Sequence, residues 1–223
     1  MIKINPDMLA FYKDLEKNNN REWFEKQKSR YKALESELKV FNEEVKKGLD
    51  KEDDIERVKI FRIYRDVRFS KDKTPYKTHV GISFHRKKPK LRGGYYMHMK
   101  PGNSFIAGGF WDPNPKDLYR IRKELEFDAQ ELRNIINEKK FNLIWGGLQG
   151  DKVKTAPKNF NKKHPDIDLI RHKQFIFIKK FNDKSVLSSD FLNKVINNFI
   201  AIRPFFDHMT NILTTDLNGV SII

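Results

Sequence analysis

Cysteine is absent from the 223 residues of this chain, and long apolar runs are absent as well. Without cysteine the protein has no disulfides, no thiolate nucleophile and no cysteine-ligated zinc or iron–sulfur centre. No apolar run approaches the roughly 20 residues that a membrane-spanning helix needs. The N-terminus carries acidic residues and lacks the continuous apolar stretch of a signal peptide. We therefore expect a cytoplasmic protein that has no membrane partner.

Internal repeats, low-complexity tracts and linkers rich in Gly and Ser are also missing. A chain of this length without a linker predicts a single domain over residues 1–223. Hydrophobic residues make up 38% of the chain, and 18 residues are Phe. This apolar content is sufficient for a folded core, so disorder is not expected although 34% of the residues are charged.

Acidic residues are scarce in two segments, which together hold the positive excess of the chain. The formal net charge is +15. Residues 57–100 contain 14 basic and 2 acidic side chains, and residues 151–184 contain 10 basic and 4 acidic ones. Charge concentrated in this way is typical of a surface or cleft that binds nucleic acid, a nucleotide or a phosphorylated metabolite. Two solvated, lysine-rich loops would give the same pattern, and this alternative stays open.

Apolar periodicity predicts an α+β fold with an antiparallel sheet. A period of two residues indicates a meander of about four strands, which begins near Val58 and ends near Trp111. A later strand is predicted at residues 174–181. A helical period indicates amphipathic helices at the N-terminus, in the middle of the chain and at the C-terminus, packed on the sheet. Asn19 and Glu22 resemble a capping box at the start of a long second helix.

The sequence FRIYRDVRFSKDKTPYKTH at residues 61–79 is crowded with charge, and we call it the charged segment. We predict that the first strand extends through residue 69. Because side chains alternate between the two faces of a strand, Arg65 would then share a face with Ile63 and Phe69. A buried Arg needs a partner, so Arg65 is expected to contact a carboxylate or several carbonyl groups.

The charged segment is also the predicted ligand-binding site. Residues 57–79 contain 8 basic and only 2 acidic side chains, so internal ion pairs cannot neutralise them. Convergent cations in one concave site would suit a phosphorylated or otherwise anionic small molecule. The predicted ligand-binding residues are Arg62, Arg65, Asp66, Arg68, Asp72, Lys73, Tyr76 and Lys77. Asp66 is the candidate base if the protein is an enzyme, which the sequence leaves open, and Arg122 and His98 are secondary candidates.

Two other interpretations of the charge remain. The basic loops at residues 85–94 and 152–163 are typical of a non-catalytic nucleic-acid-binding module. Alternatively, the ion pairs of the charged segment only hold a long turn in a structural or partner-binding protein. No cofactor is predicted, and the charged segment fits neither a P-loop nor a dinucleotide-binding fingerprint. No metal site is predicted, since the spacing of His79, His85 and His98 matches no metal motif, and the oligomeric state is left open.

Several segments of the chain carry a resemblance to a known family. They are NNNREWF at 18–24, FRIYRDVRFSKDKTPYKTHVG at 61–81, YYMHMKPG at 95–102, AGGFWDP at 107–113 and PKNFNKKHPDIDLIRHKQF at 157–175. With them the chain resembles, over nearly its whole length, the domain of unknown function 2461 family of uncharacterised bacterial and fungal proteins. That family usually has Gly at the position of Asn159, and both residues tolerate a positive φ. The resemblance implies a shared fold and directs attention to residues 62–79, but it implies no reaction.

Overall fold

Helices and strands follow one another along the chain largely as the sequence predicts. The structure is a computed structural model that describes residues 2–216 and 218–223. In chain order its elements are α1 (Pro6–Lys17), α2 (Arg21–Leu49), β1 (Ile55–Ile60), β2 (Val80–Arg86), β3 (Gly94–Met99), β4 (Ser104–Phe110), α3 (Pro115–Phe127), α4 (Gln130–Asn137), α5 (Lys139–Trp145), α6 (Ile167–Ile170), β5 (Phe175–Phe181), α7 (Asp183–Val186), α8 (Phe191–Ile200) and α9 (Arg203–Thr214). Within the described residues, the strands form a five-stranded antiparallel sheet in the order β1-β2-β3-β4-β5, with helices on both sides. The predicted α+β class is therefore confirmed. Among the same residues, no helix is long and apolar enough to cross a membrane.

Asparagine side chains cap the first two helices. Asn5 accepts a hydrogen bond from the backbone N–H of Asp7 (2.9 Å), and Asn20 accepts one from the backbone N–H of Trp23 (2.9 Å). Such bonds satisfy N–H groups that the first turn of a helix leaves without partners. Asn20 rather than Asn19 therefore caps α2, and the predicted capping box at Asn19 is wrong. This leaves the side chain of Asn19 available for a different contact, which is described with the site.

The chain divides into two compact units. The first comprises Met1–Phe84, Tyr96–Ile106 and Lys180–Asn197. In this unit α1 and α2 pack through apolar side chains that are 3% exposed or less, among them Leu9, Phe11, Leu15, Leu34 and Leu38. An ion pair supports the same contact, because Arg30 on α2 donates to the carboxylate of Asp14 on α1 (3.0 Å). The start of α2 is thereby held beside α1.

The second unit has its own aromatic core. It comprises His85–Tyr95, Ala107–Lys179 and Asn198–Ile223. Phe205 packs edge-on against Phe177, with ring centroids 5.0 Å apart. Arg86 is 1% exposed and lies over the ring of Phe206, and its guanidinium donates to the carbonyl oxygen of Arg92 (2.6 Å). The single domain predicted from the sequence stays a prediction.

Positive φ angles occur in the second unit at Asn159, which the sequence had marked, and at Gly109. Asn159 has a φ of 70°, in agreement with the expectation that Asn, like Gly, tolerates a positive φ at this position. Gly109 has a φ of 138°, and a Cβ atom at this position would lie 2.1 Å from the carbonyl oxygen of Phe175 on β5. Gly109 is thus required for the close approach of a neighbouring strand.

Candidate functional site

The charged segment leaves the sheet directly after β1 and folds back on itself as a hairpin. The N–H of Arg65 donates to the carbonyl oxygen of Pro75 (2.9 Å), and the N–H of Lys77 donates to that of Ile63 (2.8 Å). The predicted extension of the first strand through residue 69 is therefore wrong. Phe69, which was expected on the buried face, is 96% exposed, because the tip of the hairpin projects into solvent.

The two arms of this hairpin differ in length. The N–H of Phe61 donates to the carbonyl oxygen of Gly81 (2.9 Å), and the next pairing along the arms is between Ile63 and Lys77. Between these pairings the chain advances two residues on the outgoing arm and four on the returning arm. The returning arm therefore bulges at residues 78–79. A bulge of this kind turns side chains away from the regular alternation of a strand.

Tyr76 anchors the returning arm to the start of α2. Its ring is 3% exposed and stacks on Phe24, with ring centroids 4.1 Å apart. The side chain of Asn19 brackets the backbone of Tyr76: its amide donates to the Tyr76 carbonyl (2.9 Å), and its carbonyl oxygen accepts from the Tyr76 N–H (3.1 Å). Burial raises the pKa of the Tyr76 hydroxyl. Tyr76 was predicted as a ligand donor, and the structure adds a structural role for its ring.

Arg65 belongs to a closed network within the charged segment. Its guanidinium donates to the carboxylate of Asp72 and to the hydroxyl oxygen of Thr74. The same carboxylate accepts from the backbone N–H (2.9 Å) and the hydroxyl (2.8 Å) of Thr74. The prediction that Arg65 contacts a carboxylate is confirmed, although its side chain remains 26% exposed. This network fixes the turn of the hairpin.

The network makes stability dependent on acid pH. Hydrogen bonds from Arg65, and then from Thr74, lower the pKa of Asp72 to about 2, whereas an unfolded chain holds an aspartate near about 3.9. The contribution of Asp72 is therefore present above the unfolded value and is lost as the pH falls through the folded value. We expect the free energy of unfolding to fall less steeply between pH of about 4 and about 2 in Asp72→Asn than in the wild type. Denaturant titrations at a series of pH values measure this difference.

A second variant checks the cause of that effect. Arg65→Gln removes the largest influence on the pKa of Asp72 but leaves the hydrogen bonds from Thr74, so its stability curve should lose the larger part of this acid dependence. Curves for both variants that run parallel to the wild type through this pH range would show that the network does not contribute.

An open cleft of about 430 Å³ lies in the first unit beside the returning arm, and we call it the cleft. Its size falls within the roughly 300–1,000 Å³ that is common for small-molecule sites. It is lined by Glu16, Asn19, Arg65, Asp72, Thr74, Tyr76, Lys77, Thr78 and His79. Both of its carboxylates already pair with a cation, since Glu16 lies 3.1 Å from the ammonium group of Lys100 and Asp72 bonds Arg65. The negative charge of the lining is thus neutralised within the protein.

Among the described residues that line the cleft, Lys77 is the lysine whose charge is not paired with a carboxylate. Its ammonium group donates to the carbonyl oxygen of Arg62 (2.9 Å) and lies 5.9 Å from the ring centroid of Phe61. The ammonium group of Lys59 lies 4.9 Å from the same ring. Burial, and then the charges of Arg62 and Lys59, lower the pKa of Lys77. Among the described residues, none of these three cations makes an ion pair, so an anion bound here would relieve their mutual repulsion.

Other predicted ligand-binding residues lie outside the cleft. Arg68 forms a two-pronged pair with Asp66, at 3.0 and 2.7 Å, and the ammonium group of Lys73 donates to the carbonyl oxygen of Val67 (3.0 Å). Arg62 is exposed and does not line the cleft. Arg62, Arg68 and Lys73 thus do not line this cleft, and the expectation that they share one concave site with Tyr76 and Lys77 stays a prediction. The hydrogen bonds from Arg68 lower the pKa of Asp66, so this carboxylate is ionised near neutral pH and poorly suited to act as a base.

Arg122, a secondary candidate, belongs to the second unit and stabilises a turn there. Its guanidinium donates to the carbonyl oxygens of Ile170 and His172, each at 2.9 Å. Burial lowers the pKa of Arg122. These bonds satisfy carbonyl groups at the end of α6, which is a structural role.

His98, the other secondary candidate, is connected to the cleft by ring stacking. Its ring lies 4.3 Å from that of His79, which lines the cleft, and 4.6 Å from that of Phe105. Burial, together with His79 and Lys100, lowers the pKa of His98 to about 4. Burial and the charges of Lys77 and Lys100 also lower the pKa of His79, so both imidazoles are neutral near neutral pH. Within the described residues, no group of three or more His, Cys, Asp or Glu side chains is arranged to hold a metal ion.

Sequence reasoning did not predict several of the residues that line the cleft. They are Glu16, Asn19, Thr74, Thr78 and His79. The sequence did contain an indication that His79 belongs to the site, because His79 lies two residues after Lys77, at the end of the charged segment. Glu16 lies at the end of α1 and carried no signal, since nothing in its local sequence indicates which part of the sheet it approaches.

Comparison with known proteins identifies a family for nearly the whole chain. Residues 7–208 match the family described as "Conserved hypothetical protein (DUF2461)". No curated protein and no solved structure is significantly similar to the chain. The family description names no activity, so function has to be argued from the geometry of the site.

Proposed function

The chain belongs to the DUF2461 family, and from the geometry of the cleft we propose that it binds a small phosphorylated or otherwise anionic ligand beside Lys77. One observation carries this proposal. Both carboxylates that line the cleft are already paired, whereas Lys77 and its neighbours Arg62 and Lys59 have no carboxylate partner among the described residues. A bound anion is the partner that this arrangement lacks.

The groups around Lys77 suit a phosphoryl or carboxylate group. An ammonium group offers three donors to oxygen atoms, and the imidazole of His79 lines the same cleft. Arg62 and Lys59 lie at exposed positions, where their charge attracts an anion toward Lys77. No catalytic residue is assigned, and the proposal is one of binding.

Calorimetric titration with inorganic phosphate and with ribose 5-phosphate tests the proposal. We expect Lys77→Ala to weaken the binding of either anion by roughly 10-fold or more, because a hydrogen bond to a charged group contributes about 1.5–3 kcal/mol. Arg62→Ala should have a smaller effect, since this side chain is exposed and does not line the cleft.

The matched control is Lys32→Ala. Lys32 is an exposed lysine of the same unit that does not line the cleft, so its removal changes the net charge equally without touching the site. If Lys32→Ala weakens binding as much as Lys77→Ala, the effect is one of net charge and the proposed site is wrong. The same conclusion follows if neither anion binds to the wild type.

A second candidate function is supported by exposed lysines in the two basic loops of the second unit. Lys88 and Lys90 in the loop at residues 85–94 are exposed, as are Lys152 and Lys158 in the loop at residues 152–163. The arginines of the first loop contribute less, since Arg86 is buried and Arg92 bonds Asp117. A nucleic-acid-binding face would therefore be formed by lysines alone.

Salt dependence of binding tests this second candidate. If the loops bind nucleic acid, the affinity for generic RNA or DNA should fall steeply with salt. Replacement of Lys87, Lys88 and Lys90 by Ala should then flatten the slope by about 0.9 for each phosphate that these lysines neutralise in the wild type. Lys32→Ala again serves as the charge-matched control. An absence of binding in low salt would remove this candidate.

A further inference from the structure

A row of stacked rings in the first unit begins at the wall of the cleft. His79 lines the cleft, His98 stacks on His79 with an angle of 29° between the rings, and Phe105 stacks on His98 with an angle of 11°. None of these rings belongs to the buried core, because all three side chains are half-buried. The row therefore stands on a face of the sheet that is partly open, next to the unpaired charge of Lys77.

We propose that the ligand of the cleft is a nucleotide, with its phosphate beside Lys77 and its base packed against His79 at the end of the ring row. This inference rests on the proposed function and narrows its ligand from any small anion to a nucleoside phosphate. Stacking on aromatic side chains is a general way of holding a nucleobase, because every base presents a flat π-face. A cation within the same cleft supplies the complementary contact for the phosphate.

Because the imidazoles of His79 and His98 are neutral, they favour contact with the flat ring of a nucleobase over contact with a second anionic group. Burial lowers the pKa of both His79 and His98, so neither ring carries the positive charge that would attract another phosphate. The hydroxyl group of Tyr96 lies 3.2 Å from Nδ1 of His98, within hydrogen-bond distance, and this contact holds the central ring of the row. The anionic and the flat parts of a ligand thus meet different side chains.

Gly81 provides the space for the ring of Tyr96, which contacts His98. A Cβ atom at Gly81 would lie 2.5 Å from the hydroxyl oxygen of Tyr96, so a larger residue would displace that ring. Lys77 and His79, two residues apart on the returning arm, lie together on the wall of the cleft. A volume of about 430 Å³ is sufficient for a mononucleotide.

The test compares AMP with ribose 5-phosphate, which has the same sugar phosphate without the base. We expect AMP to bind the wild type roughly 5- to 150-fold more tightly, which is the range measured for stacking of one base on an aromatic side chain. His79→Leu should remove this difference, and His79→Phe should retain it because a planar ring is kept. Phe127→Ala, which removes an exposed aromatic ring in the second unit, should change neither affinity.

Each outcome separates the inference from the proposed function. If ribose 5-phosphate and AMP bind equally well, the nucleotide inference is wrong while anion binding stands. This comparison uses only the wild-type protein, so it does not depend on the folding of a variant. If neither binds, both fail. Oligoadenylate forms a third arm: a stronger affinity than that of AMP, with the same loss in His79→Leu, would support a nucleotide within a single strand as the ligand. Oligoadenylate binding that is unchanged in His79→Leu would contradict base stacking at this site.

Discussion

Replacement of Tyr76 by Ala is expected to lower the free energy of unfolding by about 3–5 kcal/mol, the range typical of a large buried aromatic side chain. The ring of Tyr76 is 3% exposed and stacks on Phe24 at 4.1 Å, so its removal leaves a cavity between the charged segment and α2. Because Tyr76 also lines the cleft, the same variant should lose the binding of phosphate and of ribose 5-phosphate. Denaturant unfolding and calorimetry measure the two losses.

Tyr76→Phe separates the packing of the ring from any contribution of its hydroxyl group. The phenyl ring keeps the stack on Phe24, so stability should remain within about 1 kcal/mol of the wild type. A small loss of stability in Tyr76→Ala would show that the charged segment is not anchored by this ring. The conclusion that the ring of Tyr76 holds the returning arm beside the cleft would then be wrong.

Replacement of Asn19 by Ala is expected to cost about 2 kcal/mol of stability, because it leaves both backbone groups of Tyr76 without their side-chain partners. The effect should extend to ligand affinity, since the returning arm carries Lys77 and His79 into the cleft. Thermal or denaturant unfolding gives the first quantity, and titration with ribose 5-phosphate gives the second.

Asn18→Ala is the matched control for this prediction. Asn18 is the preceding residue, and its side chain makes one exposed hydrogen bond to the carbonyl oxygen of Asp14 (2.9 Å). Its removal should cost well under about 1 kcal/mol, as is usual for an exposed contact. Equal losses of stability in Asn18→Ala and Asn19→Ala would show that the two hydrogen bonds between Asn19 and the backbone of Tyr76 do not stabilise the protein specifically.

The sequence predicted helices and strands well where the spacing of the apolar residues fits only one kind of element. Phe24, Leu34, Leu38 and Phe41 recur along α2 at helical spacing, and all are buried. Alternation failed in the charged segment because both arms of a hairpin show the same period as a strand of a sheet. Phe69 fits the alternating pattern and yet projects into solvent.

The sequence predicted the positive charge of the candidate site, but it did not predict which cations form ion pairs with carboxylates. The excess of cations in the charged segment is a property of the sequence, but Arg65 and Arg68 are bonded by the two carboxylates of the same segment. Which cation stays without a partner depends on the fold of the hairpin. His98 and Asn19 reach the site from other parts of the chain, and local sequence carries no information on such distant contacts.

The most direct test of anion binding at the cleft is a titration of the isotope-labelled protein with inorganic phosphate, followed by amide chemical shifts in heteronuclear NMR spectra. Because a bound anion perturbs the nearest amides most, we predict the largest shifts at Lys77, Thr78 and His79, with saturation as phosphate is added. Shifts confined to residues 85–94 and 152–163, or shifts that grow linearly without saturation, would contradict an anion site in the cleft.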